Sequence, residues 1–341
     1  MIRTRLHVAF IFILASSVFP QTANDTPAHT EISRSQDSAS PEPALNGYIQ
    51  VRYRDNSTDK TFDCRRARLA LKGKLGTLMR FKLQTELSGP SQKLLDAELM
   101  FPILQSVRFT AGQFKIPLSH ENCLSSSELK TINRSQVVEA LTARGKDVSG
   151  NQNGRDIGIK LTGEMIQFSD FRLIEYAIGL INGSGINTAD RNTQKDMAGR
   201  IILHPSKNTG IGGSFYSGRF TPADARDRIT DRDRQGVELT ADISLLSVYS
   251  EYIRGKDASI KKEGWYIMTC IPLIQGKTEA VLRYDTFDPD IDISGNAQSF
   301  YTLGINFPMD KKSRLQVNYE IQTQESDKPG NGLYIQLQTG F

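Results

Sequence analysis

The final residues, Asn331 to Phe341, alternate without a break. Leu333, Ile335 and Leu337 fall on one phase, Tyr334, Gln336 and Gln338 on the other, and the last residue is an aromatic. A period of two sends successive side chains to opposite faces of a strand. A strand with one apolar and one polar face suits a transmembrane barrel, in which the apolar face meets lipid and the polar face meets the lumen.

The pattern recurs upstream. Amphipathic segments run over 45–54, 62–75, 79–88, 93–101, 104–114, 155–164, 170–181 and 196–204. They continue over 209–220, 234–243, 246–254, 262–272, 275–287, 299–307, 312–323 and 331–341. There are about sixteen, each near the length of about ten residues that a tilted membrane strand requires. In 312–323, Leu315, Val317, Tyr319 and Ile321 oppose Gln316, Asn318, Glu320 and Gln322. In 45–54, Ile49, Val51 and Tyr53 oppose Gln50, Arg52 and Arg54. A charge on the lipid face near the midplane costs about 2–4 kcal/mol, so every charged set is assigned to the lumen. Aromatics near strand ends on the apolar phase, Trp265, Tyr284, Tyr301 and Tyr319 among them, suit interfacial girdles.

Connection length sorts by parity. Connections after even segments are mostly short, such as Gly76-Thr77-Leu78 and Leu273-Ile274. Those after odd segments are mostly longer: 115–154, 182–195, 221–233 and 288–298. Outer-membrane barrels pair short periplasmic turns with long external loops in this way. Composition agrees. Hydrophobic residues make up 38% of 341, low for a conventional packed core and sufficient for a barrel with a wet interior. Beyond residue 19 no apolar run reaches eighteen residues, so a transmembrane helix is not expected there.

Arg3 and Arg5 precede a mostly apolar stretch from Leu6 to Phe19. That order reads as a signal peptide over 1–20. Residues 21–44, rich in Ser, Thr, Pro, Gln and Asp, read as a flexible periplasmic leader, and 45–341 as the barrel. The three cysteines, Cys64, Cys123 and Cys270, make no complete disulfide framework. The histidines are scattered, so no metal site or cofactor is expected. Asp288, Asp290 and Asp292 alternate in a long loop, but the calcium-loop pattern with its late Glu is absent. No nucleophile elbow, phosphate loop or metalloprotease motif occurs, so no catalytic residues are assigned and an enzyme is not expected.

The most unusual segment is Cys64 to Lys74. Arg66, Arg68, Lys72 and Lys74 share one phase with Ala70, while Ala67, Leu69 and Leu71 share the other. Cations two residues apart on one face stand about 6–7 Å apart along the strand. Arg80 and Lys82 follow on the next segment, and Arg52 and Arg54 precede on the first. A pore lined by Lys and Arg favours anions and phosphates. The competing reading matches this ladder with acids on adjacent strands, and Glu86, Asp96 and Glu98 are the candidates. The connection from Lys115 to Gly154 is too long for a simple turn. The spacing of Leu129, Ile132, Val137, Val138 and Leu141 over 125–143 allows a short helix. Folded into the lumen, this loop would constrict it with Lys130, Arg134, Arg144 and Lys146 facing the pore.

Several motifs, in this order, resemble the phosphate-selective porin O and P family of bacterial outer-membrane channels. They are Arg65-Arg66-Ala67-Arg68-Leu69, Gly112 to Ser119, Gly154 to Ile159, Ile181 to Asn187, Lys195 to Arg200 and Arg283-Tyr284-Asp285. The similarity spans about 45 to 341 and implies a sixteen-stranded barrel, commonly trimeric, whose basic lumen residues conduct anions. By motif match, Arg66 and Arg68 carry over as lumen cations, and Phe341 resembles the assembly signal of such barrels.

The expectation is therefore an all-β transmembrane antiparallel barrel in the bacterial outer membrane. It would be a passive porin for small hydrophilic solutes, favouring anions such as phosphate. Its expected partners are outer-membrane lipids, the barrel-assembly machinery and two further copies in a homotrimer; nucleic acid is not among them. An unselective general porin stays open, as does a non-conducting barrel used for binding, adhesion or catalysis.

Overall fold

The computed structural model describes residues 43–56, 58–168, 170–221, 229–324 and 330–341. Residues 1–42, over which a signal peptide and a leader are expected, lie outside the described residues.

Every amphipathic segment forms a strand. The first eight are β1 (Ala44–Asn56), β2 (Lys60–Leu75), β3 (Met79–Glu86), β4 (Lys93–Leu104), β5 (Val107–Lys115), β6 (Arg155–Gln167), β7 (Arg172–Ile181) and β8 (Asp196–Ser206). The rest are β9 (Thr209–Phe220), β10 (Thr230–Ile243), β11 (Leu246–Asp257), β12 (Ile260–Ile274), β13 (Thr278–Asp288), β14 (Gln298–Pro308), β15 (Arg314–Gln324) and β16 (Asn331–Gly340). Each pairs antiparallel with its sequence neighbours, and β1 pairs with β16, so the sheet is a closed barrel. Closure leaves no strand edge unpaired, as spanning lipid demands.

The phases hold. Ile49 and Val51 are exposed on the outer face while Gln50 is fully buried inside. Leu303 and Ile305 face out, and Thr302 faces in. Trp265, Tyr284 and Tyr301 pack in a row across three strands, with tilted rings at centroid distances of 5.1 and 4.9 Å. β10 begins at Thr230, four residues before the expected start. Its first turn of sequence, Asp231-Arg232-Asp233-Arg234, carries charge on both faces and so lacks an apolar phase to read. The β11–β12 connection departs from the parity rule. It is only Ala258-Ser259, because both strands extend beyond their expected ends.

The seam explains the terminal aromatic. Gly47 and Phe341 exchange backbone hydrogen bonds at 3.3 and 3.0 Å, directly beyond the Tyr48–Gly340 pair. The Phe341 ring lies against Gly47, where an added Cβ would stand 2.4 Å from the ring tip. The aromatic thus covers a glycine that presents bare backbone at the closing seam. Truncating Phe341 should lower the yield of folded barrel in refolding, read as the fraction of protein that migrates heat-modifiably on gels. An unchanged yield and an unchanged rate would remove Phe341 from closure.

The 116–154 connection folds into the barrel. It holds two short helices, α1 (His120–Cys123) and α2 (Gln136–Leu141). The helix is shorter than the 125–143 spacing allowed. Over 127–133 the carbonyls that a helix would use are taken by the wall. Gln338 donates to Ser127 O, Gln316 to Leu129 O and Arg283 to Asn133 O. Gly112 (φ 123°) and Gly154 (φ 69°) stand near the points where the chain leaves and rejoins the wall. A Cβ at Gly112 would stand 1.9 Å from Ala97 O, and at Gly154 1.8 Å from Asn122 Oδ1. Both positive φ and close approach require glycine there.

Candidate functional site

The lumen is lined by two kinds of inward residue. Most of the wall presents charged and amide side chains. One sector of β11, β12 and β13 is apolar instead. There Ile253, Tyr266, Met268, Cys270, Val281 and Phe287 form a buried cluster with Val137, Val138, Ala140 and Leu141 of α2. Gly264 lets the helix approach closely, since a Cβ there would lie 2.9 Å from Val137 Cβ and 2.4 Å from Thr286 O. Water exclusion over this face gives α2 a fixed seat, worth about 1.5–3 kcal/mol per fully buried large aliphatic side chain.

Around that seat the loop is pinned by polar anchors on the wall. Glu251 accepts the backbone N–H groups of His120 and Glu121 at 2.9 and 2.8 Å, and also the Tyr266 hydroxyl at 2.8 Å. Asn318 accepts from Ile132 N at 2.6 Å and Asp285 from Gln136 N at 3.1 Å. Asp147, on the returning limb, meets Arg232 at 2.9 Å and Arg234 at 3.8 Å, with its side chain fully buried. Burial disfavours the Asp147 carboxylate, but the two guanidinium groups outweigh it and hold its pKa below the usual carboxylate value. His120 stacks on Tyr249 at 5.9 Å. Burial pushes its imidazole down to about 4, so it sits there neutral.

The cationic wall on β1 to β3 is real but largely paired. Arg52 reaches Asp63 at 2.5 Å, and Arg54 reaches Asp59 at 2.9 Å. Arg68 binds Glu86 at 2.7 Å, the Tyr48 hydroxyl at 2.9 Å and Ser126 of the loop at 3.3 Å. Lys82 lies 3.0 Å from Asp96 and 3.5 Å from Glu98. The three acids named as possible partners of the ladder are thus its partners. Lys72 lines a cavity of about 450 Å³ at the short-turn mouth. Arg80, half-buried, and Lys74, exposed, lie at the same end of the wall.

The sequence phase missed one residue. The β1–β2 register shifts at Gln50/Val51, where Gln50 opposes Arg66 and Val51 opposes Cys64. Arg65 is the extra residue of this β-bulge. A bulge sets two residues against one and re-aims a side chain that strict alternation would send outward. Arg65 accordingly shares its surroundings with Arg52, Arg134, Glu139 and Glu320 of the lumen. Arg66 donates to Gln50 Oε1 at 2.7 Å. Among the described residues, no carboxylate lies within 4 Å of the Arg65 or Arg66 guanidinium.

The loop cations take different places. Lys130 pairs with Glu279 at 2.8 Å. Arg134 is buried and donates to the carbonyls of Glu121 (3.1 Å) and Leu124 (3.0 Å). Arg144, also buried, donates to Asn122 Oδ1 at 2.8 Å. Both guanidinium groups brace the loop while adding charge beside Arg65, Arg66 and Arg68. Lys146 donates to Gln136 Oε1 at 2.5 Å and lies over the Phe300 ring at 5.8 Å. The structure therefore gathers Arg65, Arg66, Arg68, Arg134 and Arg144 where the loop crosses the lumen. Lys72, Lys74, Arg80 and Lys82 stand nearer the short-turn mouth.

A family model for the phosphate-selective porins O and P matches residues 46–242, more than half of the chain. The chain belongs to that family. Solved structures show the same barrel. An anion-selective porin from Comamonas acidovorans superposes with a TM-score of 0.67 at 15% identity, over 88% of this chain and 99% of that one. A loop-deletion form of OmpT from Vibrio cholerae gives a TM-score of 0.62 at 11% identity, over 88% and 99%. The trimer form of in-vitro folded OmpT gives 0.59 at 11%, over the same shares. At these identities the likeness is one of fold. A comparison with curated protein sequences finds no match.

The wall of this porin carries further cations that alternation left unremarked. Arg200 pairs with Glu238, Arg155 with Asp96 at 2.6 Å and Arg283 with Asp285 at 2.9 Å. These three, with Arg232 and Arg234, are almost fully buried and each is paired with a carboxylate. Their place is structural: they fasten the porin's loop and wall. Among the described residues no group of three or more metal-ligating side chains is suitably placed for an ion.

Proposed function

We propose that this outer-membrane porin passes small hydrophilic solutes by passive diffusion and favours anions, inorganic phosphate among them. The observation that carries the reading is the arginine group at the loop crossing. Arg65 and Arg66 face the lumen with no carboxylate within 4 Å among the described residues, and Arg68, Arg134 and Arg144 add to their field. Guanidinium forks replace part of an anion's hydration and match phosphate oxygens in plane. Lys72, Lys74, Arg80 and Lys82 then extend the positive wall toward the short-turn mouth, and Arg52 and Arg54 extend it toward the long-loop mouth. The family's name and the anion selectivity of the Comamonas porin support the same direction. Residues 1–20 act as the export signal in this reading. Phe341 serves recognition by the assembly machinery, and the barrel works as a homotrimer in outer-membrane lipid, as the trimer form of OmpT suggests.

One observation favours an unselective porin. Arg52, Arg54, Arg68 and Lys82 are each matched by a carboxylate, which leaves a mixed lumen over much of its length. A planar-bilayer recording in a potassium chloride gradient separates the two readings. Anion preference gives a zero-current potential of anionic sign and partial block on adding phosphate. A potential near zero supports the unselective porin, and an absence of conductance ends both.

A further inference from the structure

The short turns are apolar on their outer side. Turn tips in general take Gly, Asn, Asp or Ser, which accept the tight backbone and face water. Here six of the seven connections after even-numbered strands carry exposed large apolar side chains. Leu78 (70% exposed) tips β2–β3, Leu245 (77%) tips β10–β11 and Met309 (67%) opens β14–β15. Ile103 with Leu104, and Leu273 with Ile274, end β4 and β12 in the same way. At β6–β7, Ile166 is exposed at φ 58°, a left-handed conformation that costs a β-branched residue and that Gly adopts freely. Phe168 and Phe171 stack in the same turn at 5.1 Å. The seventh, β8–β9, is polar at Ser206-Lys207-Asn208, and Lys207 reaches Asp170 of the neighbouring turn at 3.1 Å.

The polar side of the rim faces the lumen. Lys311 and Lys312 of the β14–β15 connection line the mouth cavity, whereas Met309 of the same connection continues the outer phase of Phe307.

The height of the apolar face decides what covers the turns. Its upper limit is a row of exposed polar residues on β10, β11 and β12. Gln235 opposes Arg254 and accepts its Nε–H at 2.8 Å. Glu263 opposes Arg254 from the other side and accepts the Tyr252 hydroxyl at 2.7 Å. Below this row the outer residues run from Val237 to Ile243 on β10 and from Trp265 to Leu273 on β12. At about 3.3 Å per residue and a tilt of about 40°, these runs stand about 15 and 20 Å tall, against the band of about 25 Å that lipid covers. On β15 the outer run from Ile321 to Leu315 is as short as that on β10. The missing height, about 5–10 Å, reaches past the strand ends and takes in the turns.

We propose that the short turns are immersed in the periplasmic leaflet, where phospholipid covers Leu78, Leu245 and Met309, and that the pore opens among the headgroups. These side chains are continuous with the face that lipid covers on the strands. They also recur around the rim, as an encircling bilayer requires and a single docked protein does not. Lys311 and Lys312 then stand at headgroup level on the lumen side. The inference rests on the outer-membrane barrel and is independent of the solute it passes.

The test is the fluorescence of single-tryptophan barrels in phosphatidylcholine vesicles, in a W265F background that removes the one native tryptophan. L245W and M309W should emit at shorter wavelength than K312W, and lipid brominated close to the headgroup should quench most of their emission. Aqueous iodide should quench K312W instead. Heat-modifiable migration confirms folding, and L78W replaces either turn variant that fails to fold. Tryptophan itself favours the interface, so a spin label at L245C, with Cys64, Cys123 and Cys270 replaced by alanine, gives an independent readout. Oxygen should relax that label more than a water-soluble nickel chelate does. Water-like emission of L245W and M309W with iodide quenching overturns the proposal. Short-wavelength emission that brominated lipid leaves unquenched also overturns it, since protein would then cover the turns. A label relaxed more by the nickel chelate overturns it as well. None of these measurements needs conductance, so a barrel that does not conduct ends the porin reading and leaves this test intact.

Discussion

Replacing Arg65 and Arg66 together by glutamine should cut the anion-to-cation permeability ratio about ten-fold, because each charge at about 6 Å in a watery pore contributes about 0.7 kcal/mol, or about three-fold. Both side chains face the lumen where the folded loop narrows it, and Arg66 donates to Gln50 Oε1 at 2.7 Å. Neutralising Arg52 or Lys82 should change the ratio much less. Each is matched by a carboxylate, so its removal frees an opposing charge rather than simply deleting a field. Glutamate at positions 65 and 66 should carry the zero-current potential past zero to cationic sign. The measurement is the reversal potential in a salt gradient, with thermal melting in detergent to check folding. An unchanged reversal potential in a folded R65Q/R66Q barrel would place the selectivity elsewhere.

Truncating Asp147 to alanine should destabilise the seated loop by about 3 kcal/mol, because it leaves the buried Arg232 guanidinium without a carboxylate. Arg232 would keep the Tyr216 hydroxyl at 3.0 Å, and Arg234 would keep Asp257 at 2.8 Å, but the link from wall to loop would be gone. The readout is a rise in open-channel noise and mean conductance, with strand content by circular dichroism unchanged. The sign of the pH effect follows. The Asp147 carboxyl is held below its usual value, so its contribution is present above the ordinary carboxylate range and lost as pH falls through the lowered value. Conductance should therefore stay flat through mildly acidic conditions and turn noisy only below about pH 4. A transition near neutrality that survives in D147A would mean that another anchor governs the loop.

Much of the architecture was legible because lipid imposes a strict pattern. Ile49 and Val51 against Gln50 and Arg52, or Leu315 and Val317 against Gln316 and Asn318, can be read one strand at a time. The reading failed where a strand meets something other than lipid outside and water inside. β12 is the clearest case. Trp265 and Ile267 face out while Tyr266, Met268 and Cys270 face in, so both phases are apolar. That double apolarity marks the seat of α2, a signal present in the sequence but not decisive without its partner. Asp231 to Arg234 failed for the opposite reason, with charge on both faces. Arg65 failed because alternation assumes an unbroken ladder, and a bulge is a property of two strands together.

The sequence by itself determined the sixteen strands, their inward and outward faces and the long connection after β5. Each follows from local chemistry: period-two patterning, turn length and the cost of charge in hydrocarbon. Only the tertiary structure decided which cations keep a carboxylate partner and which do not, and where the loop lies against the wall. Those depend on register between strands and on contacts between residues far apart in the chain, such as Asp147 with Arg232 or Gln50 with Ser126. Pairing of that kind is set by closure of the whole barrel, which no single segment encodes.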